Sequence, residues 1–182
     1  MHKLIFIMLS LMIPCTVGAK DDYRKANTAW KTEFTVDTHV NVKSANRLGA
    51  KHIRLIRETY ELAETKFLKF WLLEHDECKF IPLEVRIVES EEELNSRLYF
   101  PGEDVYADKP EEGTEIIFGR YYKLTNKLYI VPPYTSQYYW RKNFAHETIH
   151  YFFDECGIKF FSGEKEHKVI ERFLLKYKRF FY

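Results

Sequence analysis

The segment Asn143-Phe-Ala-His-Glu-Thr-Ile-His-Tyr-Phe-Phe-Asp154 constrains the fold more than any other part of the chain. At helical spacing Phe144, Ala145, Ile149, Tyr151, Phe152 and Phe153 leave no polar face wide enough to meet water, so this helix belongs in the core. Yet it also carries two imidazoles and a carboxylate. Buried ionisable groups without a partner are costly, and a metal ion is the partner that suits all three. His146, Glu147 and His150 form the pattern H-E-x-x-H. Residues four apart on a helix point the same way, so both imidazoles can hold one zinc ion. Glu147, one step round, then faces water activated by that ion and takes its proton as general base. In a chain with seven His the pattern arises by accident on the order of a few times in a hundred. Its setting in a buried helix raises it above that background.

Around this helix the chain reads as one domain of mixed α+β class. Its 182 residues, 46% hydrophobic and 17% aromatic, suffice for a single core. Phe34 to Val42 alternates apolar and polar residues as a half-buried strand does, and Ser44 and Asn46 offer an N-cap. From Ala45 to about Leu73 apolar residues recur at helical spacing, which predicts a long backing helix. Pro82 to Val88 alternates again, and Ser90 followed by Glu91, Glu92 and Glu93 is a capping box opening a short helix to about Leu98. Phe100 to Gly113, with Pro101, Gly102 and Pro110, reads as a long loop. Thr114–Tyr121 and Lys127–Val131 then form a hairpin about Thr125-Asn126. After the H-E-x-x-H helix, with Gly157 as C-cap, a last helix runs from about Gly163 to the end. The expected architecture is a small twisted sheet of about four strands with a long backing helix and two C-terminal helices carrying the chemistry.

Residues 1–19 stand apart. Met1-His2-Lys3 is a basic start, Leu4 to Ile13 is apolar apart from Ser10, and Val17-Gly18-Ala19 offers small residues for cleavage. This is the order of a secretory signal peptide, and the apolar run is too short to cross a bilayer. The expected mature chain, residues 20–182, is therefore secreted or periplasmic and keeps no stable membrane anchor. Loss of Lys3 leaves 27 basic against 27 acidic residues, so nothing marks a nucleic-acid partner. Cys78 and Cys156 remain as a pair in an oxidising compartment, and sequence alone leaves both a disulfide and two free thiols open.

On the H-E-x-x-H motif and the order of elements over about the last hundred residues, the chain resembles a minimal zincin, most similar to the gluzincin clan of metallopeptidases. The resemblance implies a zinc-dependent peptidase acting on peptide or protein substrates. It further implies a sheet before the H-E-x-x-H helix, an edge strand binding extended substrate, and a later helix giving the third ligand. Leu128-Tyr-Ile-Val-Pro-Pro133 is expected to hold that edge strand. The clan's third-ligand pattern is E-x-x-A-D or E-x-x-A-N, and here His167-Lys-Val-Ile-Glu171 stands in its place. Glu166, His167 and Glu171 are the candidates. Glu166 and His167 lie within roughly 60° of the apolar meridian through Ile170, and Glu171 lies about 100° away. His167 is preferred as ligand, with Glu171 one turn on as its carboxylate support and Glu166 as the alternative ligand. Asp154, one turn past His150, either steadies the site or caps the helix. Tyr134, Tyr138, Tyr139 and Tyr151 are candidate donors to an oxyanion. The competing expectation is a non-catalytic extracytoplasmic binding module on the same scaffold.

Overall fold

The computed structural model describes residues 24–25, 29–94, 98–100, 105–107, 118–133 and 137–182. The expected leader lies outside them. A small sheet joins β1 (Arg24–Lys25), β5 (Leu98–Phe100) and β6 (Val105–Ala107), so part of the expected loop from Phe100 to Gly113 is strand. The main sheet has five strands. Its members are β2 (Thr32–Thr35), β3 (Val40–Ser44), β4 (Leu83–Ile87), β7 (Gly119–Tyr122) and β8 (Lys127–Ile130), in the order β2-β3-β4-β8-β7. The central pairs β3–β4 and β4–β8 are parallel, and both outer strands run antiparallel to their neighbours.

The alternation from Phe34 to Val42 conceals a hairpin rather than one strand. Asp37 accepts from the backbone N–H groups of His39 and Val40, at 2.7 and 2.9 Å, and this side-chain turn reverses the chain between β2 and β3. Beyond β3, Ser44 and Asn46 do not cap the long helix. Ser44 Oγ accepts from Asn46 N–H, and α1 (Ala50–Trp71) starts after Gly49 with no side-chain cap. It then crosses to the parallel strand β4. The short helix α2 (Glu91–Leu94) does use Ser90, whose hydroxyl accepts from Glu93 N–H.

α1 buries Leu55, Ile56, Tyr60, Ala63 and Phe67 against the sheet and the helix α3 (Gln137–Glu155). Phe152 of α3 packs between Tyr60, edge to face, and Phe67, tilted, with ring centroids 5.7 and 5.1 Å apart. A fully buried ring of this kind stabilises by about 2–3 kcal/mol over an exposed one. α3 is buried along most of its circumference, as its composition requires. Two of its buried rings bond to backbone carbonyls: Trp140 donates to Val131 O at 2.8 Å, and Tyr151 donates to Ile81 O at 2.8 Å.

The end of α3 is fixed in three ways. Gly157 takes φ 66°, and the N–H groups of Gly157 and Ile158 bond to Asp154 O and Phe153 O, the paired closure of a Schellman turn. Cys156 forms a disulfide with Cys78, which decides the question the sequence leaves open. Backbone bonds from Lys79 N–H to Glu155 O and from Ile81 N–H to the Glu155 carboxylate stitch the same strip together. The chain then turns into α4 (Gly163–Lys176), capped by Ser162 and buried through Ile170, Phe173 and Leu174. A short α5 (Lys178–Phe181) follows a break at Tyr177, so the expected single last helix is two. Among the described residues no helix is long and apolar enough to cross a membrane.

Candidate metal centre

α3 presents His146 and His150 one turn apart, and the first turns of α4 bring His167 against them. One ring nitrogen from each lies within 4.8 Å of the others. The three ring centroids are 5.0, 5.2 and 5.0 Å apart and the planes cross at 61–74°, close to a three-fold arrangement about one point. The Nε2 atoms of His146 and His150 approach to 3.2 Å. Burial, then the neighbouring His150 and His167, lowers the His146 pKa to about 3. Burial also lowers that of His150, against the pull of Glu166. Both rings are thus neutral at pH 7, the form in which imidazole binds a metal.

Glu166 meets His150 from behind, with Oε1 2.5 Å from Nδ1. A carboxylate there holds the hydrogen on Nδ1 and turns the Nε2 lone pair toward the shared point. Glu166 thus backs His150, whereas Glu171, expected to support His167, is exposed on α4. The reason is rotational. Glu166 lies about 40° from Ile170, one turn back on the buried side, whereas Glu171 lies about 100° round toward solvent. Asp154 accepts an ion-pair bond from Lys123 at the wall of the cleft.

Glu147 lies against β7. Its Oε2 accepts from Tyr121 N–H at 2.9 Å, and a Cβ on Gly119 would come within 2.6 Å of its Cγ. Only glycine leaves that space. Burial raises the Glu147 carboxyl to about 7, against the lowering effects of the Tyr121 N–H and the Arg120 charge. Such a value suits a proton acceptor near neutral pH.

The strand beside the site is β7, not the Leu128–Pro133 region. β8 lies inside the sheet, bonded on both sides, so it has no free edge. Phe118 O bonds to Val131 N–H, and the alternation of antiparallel pairing then turns the backbone groups of Gly119 and Tyr121 outward. An open cleft of about 510 Å³ lies between β7 and the three imidazoles. Of the four tyrosines named as oxyanion donors, none of the three that are described lines it. Tyr151 is committed to Ile81, Tyr138 and Tyr139 pack on each other, and Tyr134 lies outside the described residues. Tyr121 and Tyr122 line it instead.

No protein-family model, curated protein or solved structure matches the chain. What the site can do follows from its own geometry. Gly119 and the Tyr121 N–H escape a reading of side-chain motifs. The available signal was a glycine inside a strand-like run, which often marks close approach by another group.

Proposed function

We propose that the chain is a zinc-dependent peptidase of zincin type, exported from the cell. The observation that carries this is the convergence of His146, His150 and His167 on one point with Glu147 alongside. The donor set fits the ion: three imidazoles, one of them backed by a carboxylate, suit zinc and leave a fourth position open. Three imidazoles differ from the two imidazoles and one carboxylate of gluzincins, so the likeness to that clan extends to the order of elements and the H-E-x-x-H helix. An antiparallel edge strand beside that helix supports the same reading.

Zinc supplies Lewis acidity at such a site, polarising a scissile carbonyl and making water nucleophilic near neutral pH. Glu147 accepts the proton of the attacking water and passes it to the leaving amine. Glu166 orients His150. With the Tyr121 N–H held by Glu147, the outward groups of Gly119 and the Tyr121 carbonyl pair with the backbone of an extended peptide, which gives main-chain affinity by strand addition. The Cys78–Cys156 disulfide supports an oxidising, extracytoplasmic location.

The test is metal content of the purified mature protein beside casein cleavage with and without chelator. The expected result is one zinc per chain and cleavage that chelator abolishes and zinc restores. Zinc bound without cleavage of any substrate would favour the binding module. N-terminal sequencing of the exported protein is expected to begin near Lys20.

A further inference from the structure

α4 turns two unlike faces to its surroundings. Ile170, Phe173 and Leu174 are buried, whereas Lys165, Lys168, Arg172 and Lys176 are exposed and lie about 120–160° round the helix from Ile170. They form one stripe along its outer side. Of the helix's three carboxylates, Glu166 is bonded to His150 and Glu164 to Lys168, and Glu171 stands at the margin. At the far end of the stripe cations rest on rings instead of carboxylates. Lys66 of α1 stands 4.5 Å from the centroid of Phe180 and Arg179 4.7 Å from the same ring, while Lys176 lies 4.9 Å from Phe70. Among the described residues none of Lys66, Arg172, Lys176 and Arg179 has an ion-pair partner. A ring holds a cation in place and leaves its charge in force, so this face keeps a positive field although the whole chain carries only +1 at pH 7.

Apolar tips stand among these charges. Leu175, 59% exposed, lies on the same stripe, about 140° from Ile170. Phe161, 97% exposed, heads it, with Lys165 Nζ 5.1 Å from its ring. Side chains of this size held in water between cations point to a contact surface. The phosphate backbone of a nucleic acid would satisfy the cations and leave both apolar tips without a partner. A bilayer with anionic headgroups satisfies both, with phosphate for the cations and the acyl boundary for Leu175 and Phe161.

We propose that the outer face of α4, with α5 and the end of α1, is a docking surface for an anionic phospholipid membrane. The cations meet the headgroups, and Leu175 and Phe161 enter the boundary with the acyl chains. Contact of this kind is peripheral and reversible, unlike a spanning anchor, and it does not depend on the peptidase reading.

The test is co-sedimentation of the purified mature chain, residues 20–182, with vesicles of phosphatidylcholine alone or mixed in equal parts with phosphatidylglycerol, at low and high salt. The mixed vesicles are expected to bind at least about tenfold more tightly, and salt to weaken that binding. Arg172→Glu with Lys176→Glu is expected to lower the affinity by about tenfold or more. Lys51→Glu with Arg54→Glu, the same change of net charge at exposed positions near the start of α1, is expected to lower it by less than about threefold. Leu175→Ser, which leaves the charge unaltered, is expected to cost about fivefold. None of these side chains is buried, so every variant is expected to keep the wild-type unfolding midpoint. Equal binding to the two vesicle types, or equal losses in the two double variants, overturns the proposal. So does binding to a duplex oligonucleotide that is tighter than to the mixed vesicles and indifferent to Leu175→Ser, which makes the face a site for nucleic acid.

Discussion

Two clusters of ionisable groups lie on opposite sides of the main sheet, and they are assembled on different rules. On one side Lys43, Glu84, Arg86 and Tyr129 sit in adjacent rows of β3, β4 and β8. Lys43 and Arg86 both bond to the Glu84 carboxylate, at 2.7 and 2.5 Å, and Arg86 also donates to Tyr129 Oη at 2.8 Å. The Arg86 guanidinium rests over the rings of Trp30 and Tyr129. Every charge there meets its opposite. On the other side three imidazoles bring one ring nitrogen each within 4.8 Å of the others, and two of them are held neutral by burial. A network that satisfies itself needs nothing from outside, whereas three converging imidazoles fit the proposed metal. Breaking members of each cluster in turn tests that contrast.

The largest expected effect is on the metal. His146→Ala, His150→Ala or His167→Ala should each empty the site at a chelator concentration the wild type survives, while Lys43→Ala leaves zinc content unchanged. Atomic absorption after dialysis against graded chelator reads both. Retention of full zinc by His167→Ala would remove α4 from the centre and end the three-imidazole description.

Next comes the base. Glu147→Gln should keep its zinc and lose about 10²–10⁴ in kcat. Gly119→Ala should also keep its zinc, but the new methyl meets Glu147 Cγ, so kcat falls by up to about 10²-fold through misplacement of the carboxylate. Steady-state kinetics with KM and kcat read separately would distinguish these losses from weakened substrate binding. Unchanged turnover in Gly119→Ala would mean that the contact between β7 and Glu147 has no part in the chemistry.

A smaller loss is expected from the support behind the ligand. Glu166→Gln should weaken zinc by about 10–100-fold, and Glu171→Gln should leave it unchanged. This pair also marks where the sequence stopped being informative. The helical period identifies the residues of α4 nearest its buried meridian, but how α4 crosses α3 depends on the Gly157 turn, the disulfide and the packing of Phe173. Spacing therefore leaves Glu166, His167 and Glu171 all in play. The H-E-x-x-H helix was legible because its own composition forces it inward. The edge strand was not, because strand order is set by long-range pairing that a two-residue period does not encode. For the same reason the alternation from Phe34 to Val42 reads straight through a reversal that Asp37 alone signals.

The remaining effects concern pH, and they run in opposite directions in the two clusters. Burial alone would push the Glu84 carboxyl up, but the bonds from Lys43 and Arg86 hold it below the usual carboxylate range. Its contribution to stability is therefore present above the unfolded value, near about 4.3, and lost as pH falls through the lower folded value. Glu84→Gln should cost at most about 1 kcal/mol at pH 7, since solvent screens this partly exposed pair, and nothing in strong acid. Glu147 is the reverse in the metal-free protein. Its folded value of about 7 lies above the unfolded one, so stability falls as pH rises between them. Metal-free Glu147→Gln should thus be more stable than wild type at pH 8 and equal to it near pH 3. Urea unfolding at three pH values, with chelator present, reads both variants.

The bond between Cys78 and Cys156 has a further consequence for how the chain would respond to a proteolytic cut. The chain it encloses, 78 residues from one sulfur to the other, contains β4, the edge strand β7, β8 and all of α3. A single cut anywhere inside that span yields two fragments that remain one covalent molecule. Nicked protein would migrate undivided on a gel until a reductant is added, with the strands of the cleft still tied to the helix that carries His146 and His150.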